Sequence, residues 1–472
     1  MKDRNWPELA ELFQDWVTLK AEQGAEVDAI RQRVEEAVAA GIADLSGLES
    51  PANFPYSEPE TLAEIRDARP AGPRRLRCDL SEPELVQKCL GAWLGRSAGC
   101  VLGVPVEGWN RQAIREWAEQ LEDYQLTDYF RAVPKAREQY GFPVAAFLKD
   151  QITSVAADDD LAYTVIGLHA LEEHGFDFTS DALGGEWVDH LPVACTAEEV
   201  ALNNLKRGIL PPASGQADNP YSEWIGAQIR ADIWGYVAPG QPELAATLAY
   251  RDAVISHSRN GIYGEMFFAA LLAAAYVERD VRALVEIALS EIPARSRFSE
   301  AIRNTLTWCE QDADWESTWE RIMAEYGHYH RVHTINNAAL TVAALLHGGG
   351  DFTRTIAIAV MSGLDTDCNG ATAGSAIGLI LGAGGIPPHW TAPFQDLLHT
   401  YVRGFERLSI SDLARRTARL AAEALQAHHQ AGTGPCDQKL LSLPTTDCSQ
   451  LSHSDTATPR PNVLRVSRES LV

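Results

Sequence analysis

Between Gly91 and Gly103 the chain places a glycine at every fourth position: Gly91, Gly95, Gly99 and Gly103. On a helix, residues four apart share one face. Glycine inside a helix costs about 1 kcal/mol relative to alanine. A helix with such a stripe gains from it only where another backbone approaches closely. The stripe therefore predicts tight helix packing and by itself implies no chemistry. It runs into the turn GVPVE, which carries Pro105 and Glu107.

Much of the remaining chain also reads as helix. Leu161, Val165, Leu168 and Leu171 form one stripe, and Met266–Tyr276 is an alanine-rich apolar run suited to a buried helix. Residues 335–347 and 353–362 look similar. No series of alternating strands and no repeat of fixed period is visible, so the expected fold class is all-α rather than a doubly wound sheet. Residues 1–83 read as an N-terminal helical extension and a Pro-rich linker. The extension has Leu9, Leu12, Phe13, Trp16 and Leu19, then Val27, Ile30, Val34 and Val38, at helical spacings. The linker holds Pro51, Pro55, Pro59, Pro70, Pro73 and Pro83. Residues 84–430 form the main domain. Residues 431–472 are rich in Ser, Thr and Pro and read as a disordered tail.

The formal net charge is −25. That argues against nucleic acid or an anionic membrane as partner, because bulk electrostatic binding needs a basic face. An anionic ligand would need local cations or helix N-termini. The eight cysteines include no CxxC and are expected as free thiols in a reducing cytoplasm. The start MKDRNWPELAELF lacks the apolar run of a signal peptide. The longest apolar segments, broken by Gly and Asp, fall short of the ~20 residues of a membrane span. A cytoplasmic protein without membrane association is expected. Nothing in the sequence fixes an oligomeric state.

Two acidic clusters stand out. Asp158, Asp159 and Asp160 directly precede a helical stripe, where capping is the ordinary role of aspartate. Asp365 and Asp367 lie between two apolar helices, beside Gly363, Gly370, Gly374 and Gly378, which allow close backbone approach and tight turns. Carboxylates in apolar surroundings need a cation or hydrogen bonds to stay charged. If the clusters converge, their repulsion calls for cations, and a hard oxygen set suits Mg²⁺, Mn²⁺ or Ca²⁺. His328, His330 and His333, in HYHRVH, would scatter around a helix axis. They read as surface or capping residues, not as a zinc site.

Taken in order, these segments resemble the ADP-ribosylglycohydrolase family. That family opens with a Gly-rich helix ending in GxPxE, here Gly103 to Glu107. It continues with a Thr-Asp-Asp-Thr box at a helix start. It closes with a DTDT box and a Gly/Ala-rich helix, here DTDCNGATAG. The resemblance spans about Glu84 to Pro388. It implies an orthogonal helical bundle around two magnesium ions, with Mn²⁺ as an alternative. It implies hydrolysis of the glycosidic bond at the ribose anomeric carbon of an ADP-ribosylated protein or small molecule. By motif, the metal ligands fall on Asp158, Asp159, Asp160, Asp365, Asp367 and Cys368. The catalytic carboxylates fall on Glu107, Asp159 and Asp367, with Glu107 or Asp367 as general base. Substrate contacts are expected at His257, Asn260 and Gly370.

Three positions depart from the family pattern: Asp158 and Leu161 stand where the first box has Thr, and Cys368 stands where the second has a hydroxyl. A thiol is a poor Mg²⁺ ligand, so Asn369 is expected to help at the second ion. Two other readings stay open: a hydrolase of another ribosyl or nucleoside-like metabolite, and a non-catalytic binding relative. The intact acidic run argues against the latter.

Overall fold

The computed structural model describes residues 5–131 and 145–430. The expected tail from residue 431 lies outside them.

The glycine stripe sets the centre of the fold. Its helix, Glu82–Gly103, starts with a capping box between Ser81 and Glu84. It packs antiparallel against the helix Thr366–Leu381, with Gly91 facing Gly378, Gly95 facing Gly374, Gly99 facing Gly370 and Gly103 facing Thr366. A Cβ at any of Gly91, Gly95, Gly99 or Gly103 would run into the opposing backbone. The partner helix supplies a matching glycine row, so the two backbones approach to a separation that other side chains would forbid.

Helices also build the layers around this pair. Arg259–Ala274 is buried along nearly its whole length. Asp159–His174, Pro242–Ala253, Thr334–Gly348 and Phe352–Met361 each bury an apolar face in one continuous core. Among the described residues the strands are confined to a short antiparallel ribbon, Leu397–His399 with Arg407–Ser409, in which Leu398 pairs with Leu408. The all-α class expected from the helical periods is the class observed.

The glycine helix with its following turn, Glu82–Val106, is by length and composition long enough to cross a membrane. This corrects the expectation that no apolar segment reaches that length. Most of it is buried inside the fold, and its Arg96 pairs with Asp160 and Asp232 at 2.8 Å each. Those are the surroundings of a core helix.

The N-terminal helices Trp6–Glu22 and Asp28–Ser46 bury none of their residues. The Pro-rich segment after them is bound to the body as a strap. It carries one short helix, Leu62–Ala68, with Ile65 fully buried. Ion pairs fasten it: Glu58 to Arg297 at 2.8 Å, and Arg69 to Glu243 and Glu291 at 2.5 Å each. Cys78, Cys89, Cys100, Cys195, Cys309 and Cys368 are all free thiols.

Candidate active site

The helix register delivers the site. Where the glycine helix ends, the Thr366 hydroxyl donates to the Gly103 carbonyl at 2.8 Å. The short turn Val104–Val106 then brings Glu107 over the start of the opposing helix. Gly108, at φ +74°, donates its backbone N–H to Leu364 at 2.9 Å, and Leu364 donates back to Trp109 at 3.3 Å. The left-handed conformation at Gly108 is one that glycine adopts without strain. This small ladder holds Glu107 beside Asp365. From another direction, the helix Asp159–His174 begins here. Asp158 is its N-cap and accepts from the Asp160 N–H at 3.0 Å.

Two acidic sets result. Carboxylate oxygens of Asp158, Asp159, Asp160 and Asp367 all lie within 4.8 Å of one another, and so do those of Glu107, Asp365 and Asp367. Asp367 belongs to both. The capping role and the clustering of Asp158 therefore coexist.

Crowding shows in the proton affinities. Burial first, and then Asp159, push Asp158 up to about 8. Withdrawal from water, followed by the charges of Asp365 and Asp159, pushes Glu107 up to about 7, although Glu107 keeps an exposed edge. Asp160 and Asp367 are raised well above the usual carboxylate range, mainly by burial. Asp365 is raised by burial too, while Asp367 and Cys368 beside it hold the rise back. The Cys368 thiol is buried and pushed well up, so it stands in the site as a neutral S–H.

A divalent cation fits this donor set. Asp160 gives one oxygen to Arg96, and its Oδ2 is buried with no hydrogen-bond partner; Asp367 Oδ1 is in the same condition. Unpartnered buried carboxylate oxygens are costly, and a cation among them relieves both that cost and their repulsion. Oxygen donors from aspartate are the ligands that hard cations take.

Not every expected site residue joins. Gly370 is buried in the helix pair, where its Cβ position would strike the Gly99 backbone. Asn369 is engaged within the protein: its amide donates to Asn337 at 2.8 Å and its carbonyl accepts from Thr341 at 3.0 Å. His257 is buried, accepting the Ala227 N–H at Nε2 and lying 2.8 Å from the Ser256 hydroxyl at Nδ1. Asn260, also buried, donates to Glu223 at 3.0 Å and accepts from the Phe298 N–H. Both side chains are spent on the fold. His333 caps the helix Thr334–Gly348, and His330 stacks on Trp224 with 4.2 Å between ring centroids. These are the capping and surface roles expected of that run.

Other residues enter unannounced by the sequence. Arg96 grips the Asp160 carbonyl as well as its carboxylate. Cys100, from the glycine helix, stands beside Asp158 and Asp160. Cys195 approaches Asp159 with its sulfur 3.5 Å from Oδ2. Arg331 lies against Gly108, and its charge opposes the rise at Glu107 and Asp365.

With this geometry in place, similarity to known proteins can be stated. The family model described as ADP-ribosylglycohydrolase matches residues 81–429. The chain belongs to the ADP-ribosylglycohydrolase family. The family consists of glycoside hydrolases, and this glycohydrolase is a hydrolase of that class. A solved structure described as an ADP-ribosylglycohydrolase-related protein complex is similar at 21% identity and a TM-score of 0.49. The match covers 72% of this chain and 99% of that one. No curated protein matches the chain. Within the glycohydrolase, both acidic sets fall inside the matched residues.

Proposed function

We propose that this protein is a magnesium-dependent glycohydrolase that cleaves the glycosidic bond at the ribose anomeric carbon of an ADP-ribosylated substrate. One observation carries the reading. Six carboxylates from three chain segments meet in two adjoining sets, and two of their buried oxygens have no partner within the protein.

Asp158, Asp159, Asp160 and Asp367 would hold one ion, and Asp365 and Asp367 the other, with Glu107 beside them. Hard oxygen ligands favour Mg²⁺ or Mn²⁺ over softer metals. When bound, such ions orient sugar hydroxyls and make a coordinated water more acidic. Glu107, beside Asp365 at the edge of the cluster, is placed to accept a proton from a water held there. Its exposed edge gives a substrate access. The surrounding negative charge favours the positive, oxocarbenium-like sugar of glycoside hydrolysis. Arg331 supplies the local cation that an anionic substrate needs at the rim of so acidic a protein. That cation favours ADP-ribosyl compounds over uncharged nucleosides. The free thiols fit a reducing, cytoplasmic setting.

The test is a product screen with purified protein, with and without Mg²⁺, across ADP-ribosyl-arginine, ADP-ribosyl-serine, O-acetyl-ADP-ribose and unphosphorylated nucleosides. The expected result is Mg²⁺-dependent release of ADP-ribose from at least one of the first three. Cleavage of nucleosides alone, or turnover unaffected by chelation, overturns the reading.

A further inference from the structure

At the other end of the helix that begins with the acidic box lies a second cluster of ligating side chains. His169 and His174 come from the last turns of Asp159–His174, and Glu186 and His190 come from Ser180–His190. Glu186 and His190 are four apart and share a helix face. One carboxylate receives three imidazoles. His169 Nε2 is 3.1 Å and His190 Nε2 is 3.3 Å from Glu186 Oε2, and His174 Nε2 is 2.8 Å from Oε1. Ligand atoms of His169, Glu186 and His190 all lie within 4.8 Å of one another.

Hydrogen placement at His190 constrains this cluster. Its Nδ1 lies 2.8 Å from the Arg403 carbonyl oxygen. A carbonyl only accepts, so Nδ1 carries the hydrogen and donates it. A neutral His190 then presents a bare lone pair at Nε2, aimed at a carboxylate oxygen that also only accepts. Two acceptors at 3.3 Å repel unless a positive species lies at their junction. His169 and His174 raise no such conflict, because each can donate from Nε2 to Glu186.

We propose that His169, Glu186 and His190 bind one divalent transition-metal ion of the zinc class, at a site separate from the acidic centre. The dimensions agree. Ligands about 2.0–2.1 Å from a tetrahedral ion stand roughly 3.3–3.4 Å apart, close to the separations of Glu186 from the two rings. Imidazole with a single carboxylate selects zinc-class ions over Mg²⁺. The Nδ1 bond of His190 to a backbone carbonyl is the arrangement that orients a metal-binding imidazole. Both His174 and His190 lie in the last turn of their helices, where the helix dipole favours a cation. The three ligands are 15–25% exposed, so an ion can enter. Phe405 packs on the rings of His169 and His190 at 4.8 and 5.7 Å between centroids, and Arg403 N donates to the His190 carbonyl. Metal binding there would fasten the ribbon turn around residues 400–406 to two helices.

The experiment uses the full, untagged chain, stripped with chelator and then dialysed against Zn²⁺ or Co²⁺. Bound metal is counted by mass spectrometry, and Co²⁺ is also read by its visible absorption. The expected result is one tightly held Zn²⁺, and a Co²⁺ spectrum of tetrahedral intensity, both retained in Asp159→Asn and Asp367→Asn. His169→Gln and His190→Gln should each weaken Zn²⁺ at least tenfold without lowering the melting temperature of the stripped protein by more than a few degrees. If a variant fails to fold, Glu186→Gln, which keeps the side-chain shape, is read in the same way. Two results overturn the proposal: no Zn²⁺ on the wild-type chain, or Zn²⁺ retained undiminished in the histidine variants.

Discussion

Removing metal from the acidic centre should make the protein less stable as pH rises, which is the reverse of the usual behaviour of carboxylates. Most aspartates in proteins are held below their unfolded values and stabilise the fold as they ionise. Here Asp158 is pushed up to about 8 and Glu107 to about 7, and Asp160 and Asp367 are also raised well above the carboxylate range, mainly by burial. The folded state therefore retains protons that the unfolded chain has already lost by pH 6.5. Stability must then fall with rising pH, by about 1.4 kcal/mol per pH unit for each retained proton. Counting Asp158 alone, the loss between pH 6.5 and 8 is about 1.6 kcal/mol, since half of its proton is gone by pH 8. Glu107 adds less, because its exposed edge is screened by solvent. Buried histidines oppose this trend at the lower end of the window. His257 is lowered well below its ordinary value and His333 to about 3, both mainly by burial, so they are neutral in the folded state while their unfolded forms still lose protons above pH 6.5, each offsetting the decline by about 0.4 kcal/mol, nearly all of it below pH 7.5.

The assay is urea unfolding at pH 6.5, 7.0, 7.5 and 8.0, in EDTA and in millimolar Mg²⁺. In EDTA, stability should decline across the series. In Mg²⁺ the decline should vanish or reverse, since the ion competes with those protons for the same oxygens and binds only the folded state. Asp158→Asn should flatten the EDTA series. Stability that rises with pH in EDTA, or a slope that Mg²⁺ leaves unchanged, would refute the account of the centre as a proton-holding, cation-ready cluster.

Three further outcomes are expected. Gly99→Ala forces a methyl group into the Gly370 backbone and should cost at least about 1–3 kcal/mol in urea unfolding, whereas Gly185→Ala, which meets nothing within 4 Å, should be neutral or stabilising. Cys368→Thr should tighten Mg²⁺ at one of two sites in calorimetric titration while Cys368→Val does not, because the buried thiol adjoins Asp160 and Asp367 and only threonine offers a hard oxygen; equal binding by both variants would make Cys368 a packing residue. Arg331→Ala should raise KM for ADP-ribosyl substrates about tenfold or more, in line with loss of a charged contact, and leave KM for any uncharged riboside unchanged.

The helical periods and both acidic boxes were legible because each is a local pattern. Asp158 as a cap and the helix that follows it need only neighbouring residues to be read, and the same holds for the glycine row itself. What remained hidden depends on partners far away in the chain. Arg96 looks like a stray charge in an apolar helix until Asp160 and Asp232 arrive from two other helices. Asn369 reads as a spare ligand in the sequence because Asn337 and Thr341, which engage its amide, lie on a different helix. Gly370 is ambiguous for a related reason. A glycine beside an acidic box can admit a ligand or a backbone, and only the pairing with Gly99 decides which. The Glu186–His190 spacing was visible in the sequence, but its third member, His169, is brought up by helix packing.

The glycine row connects these levels. Close approach of the two central helices does more than fill the core, because interlocked glycine faces permit few registers. The register observed sets Thr366 on Gly103, and so sets Glu107 over Asp365. A slip of one helical turn would displace the two by about 5.4 Å. That exceeds the 4.8 Å span within which Glu107, Asp365 and Asp367 now share a site. Substitutions in the glycine row should therefore impair the acidic centre even where the helices still pair. In Gly99→Ala, Mg²⁺ affinity should fall by more than the loss of stability alone would cause, measured at a temperature where the variant remains folded. Unchanged affinity in a folded Gly99→Ala protein would show that the centre tolerates a shift of the helix pair, and that the ladder at Gly108 alone holds Glu107 in place.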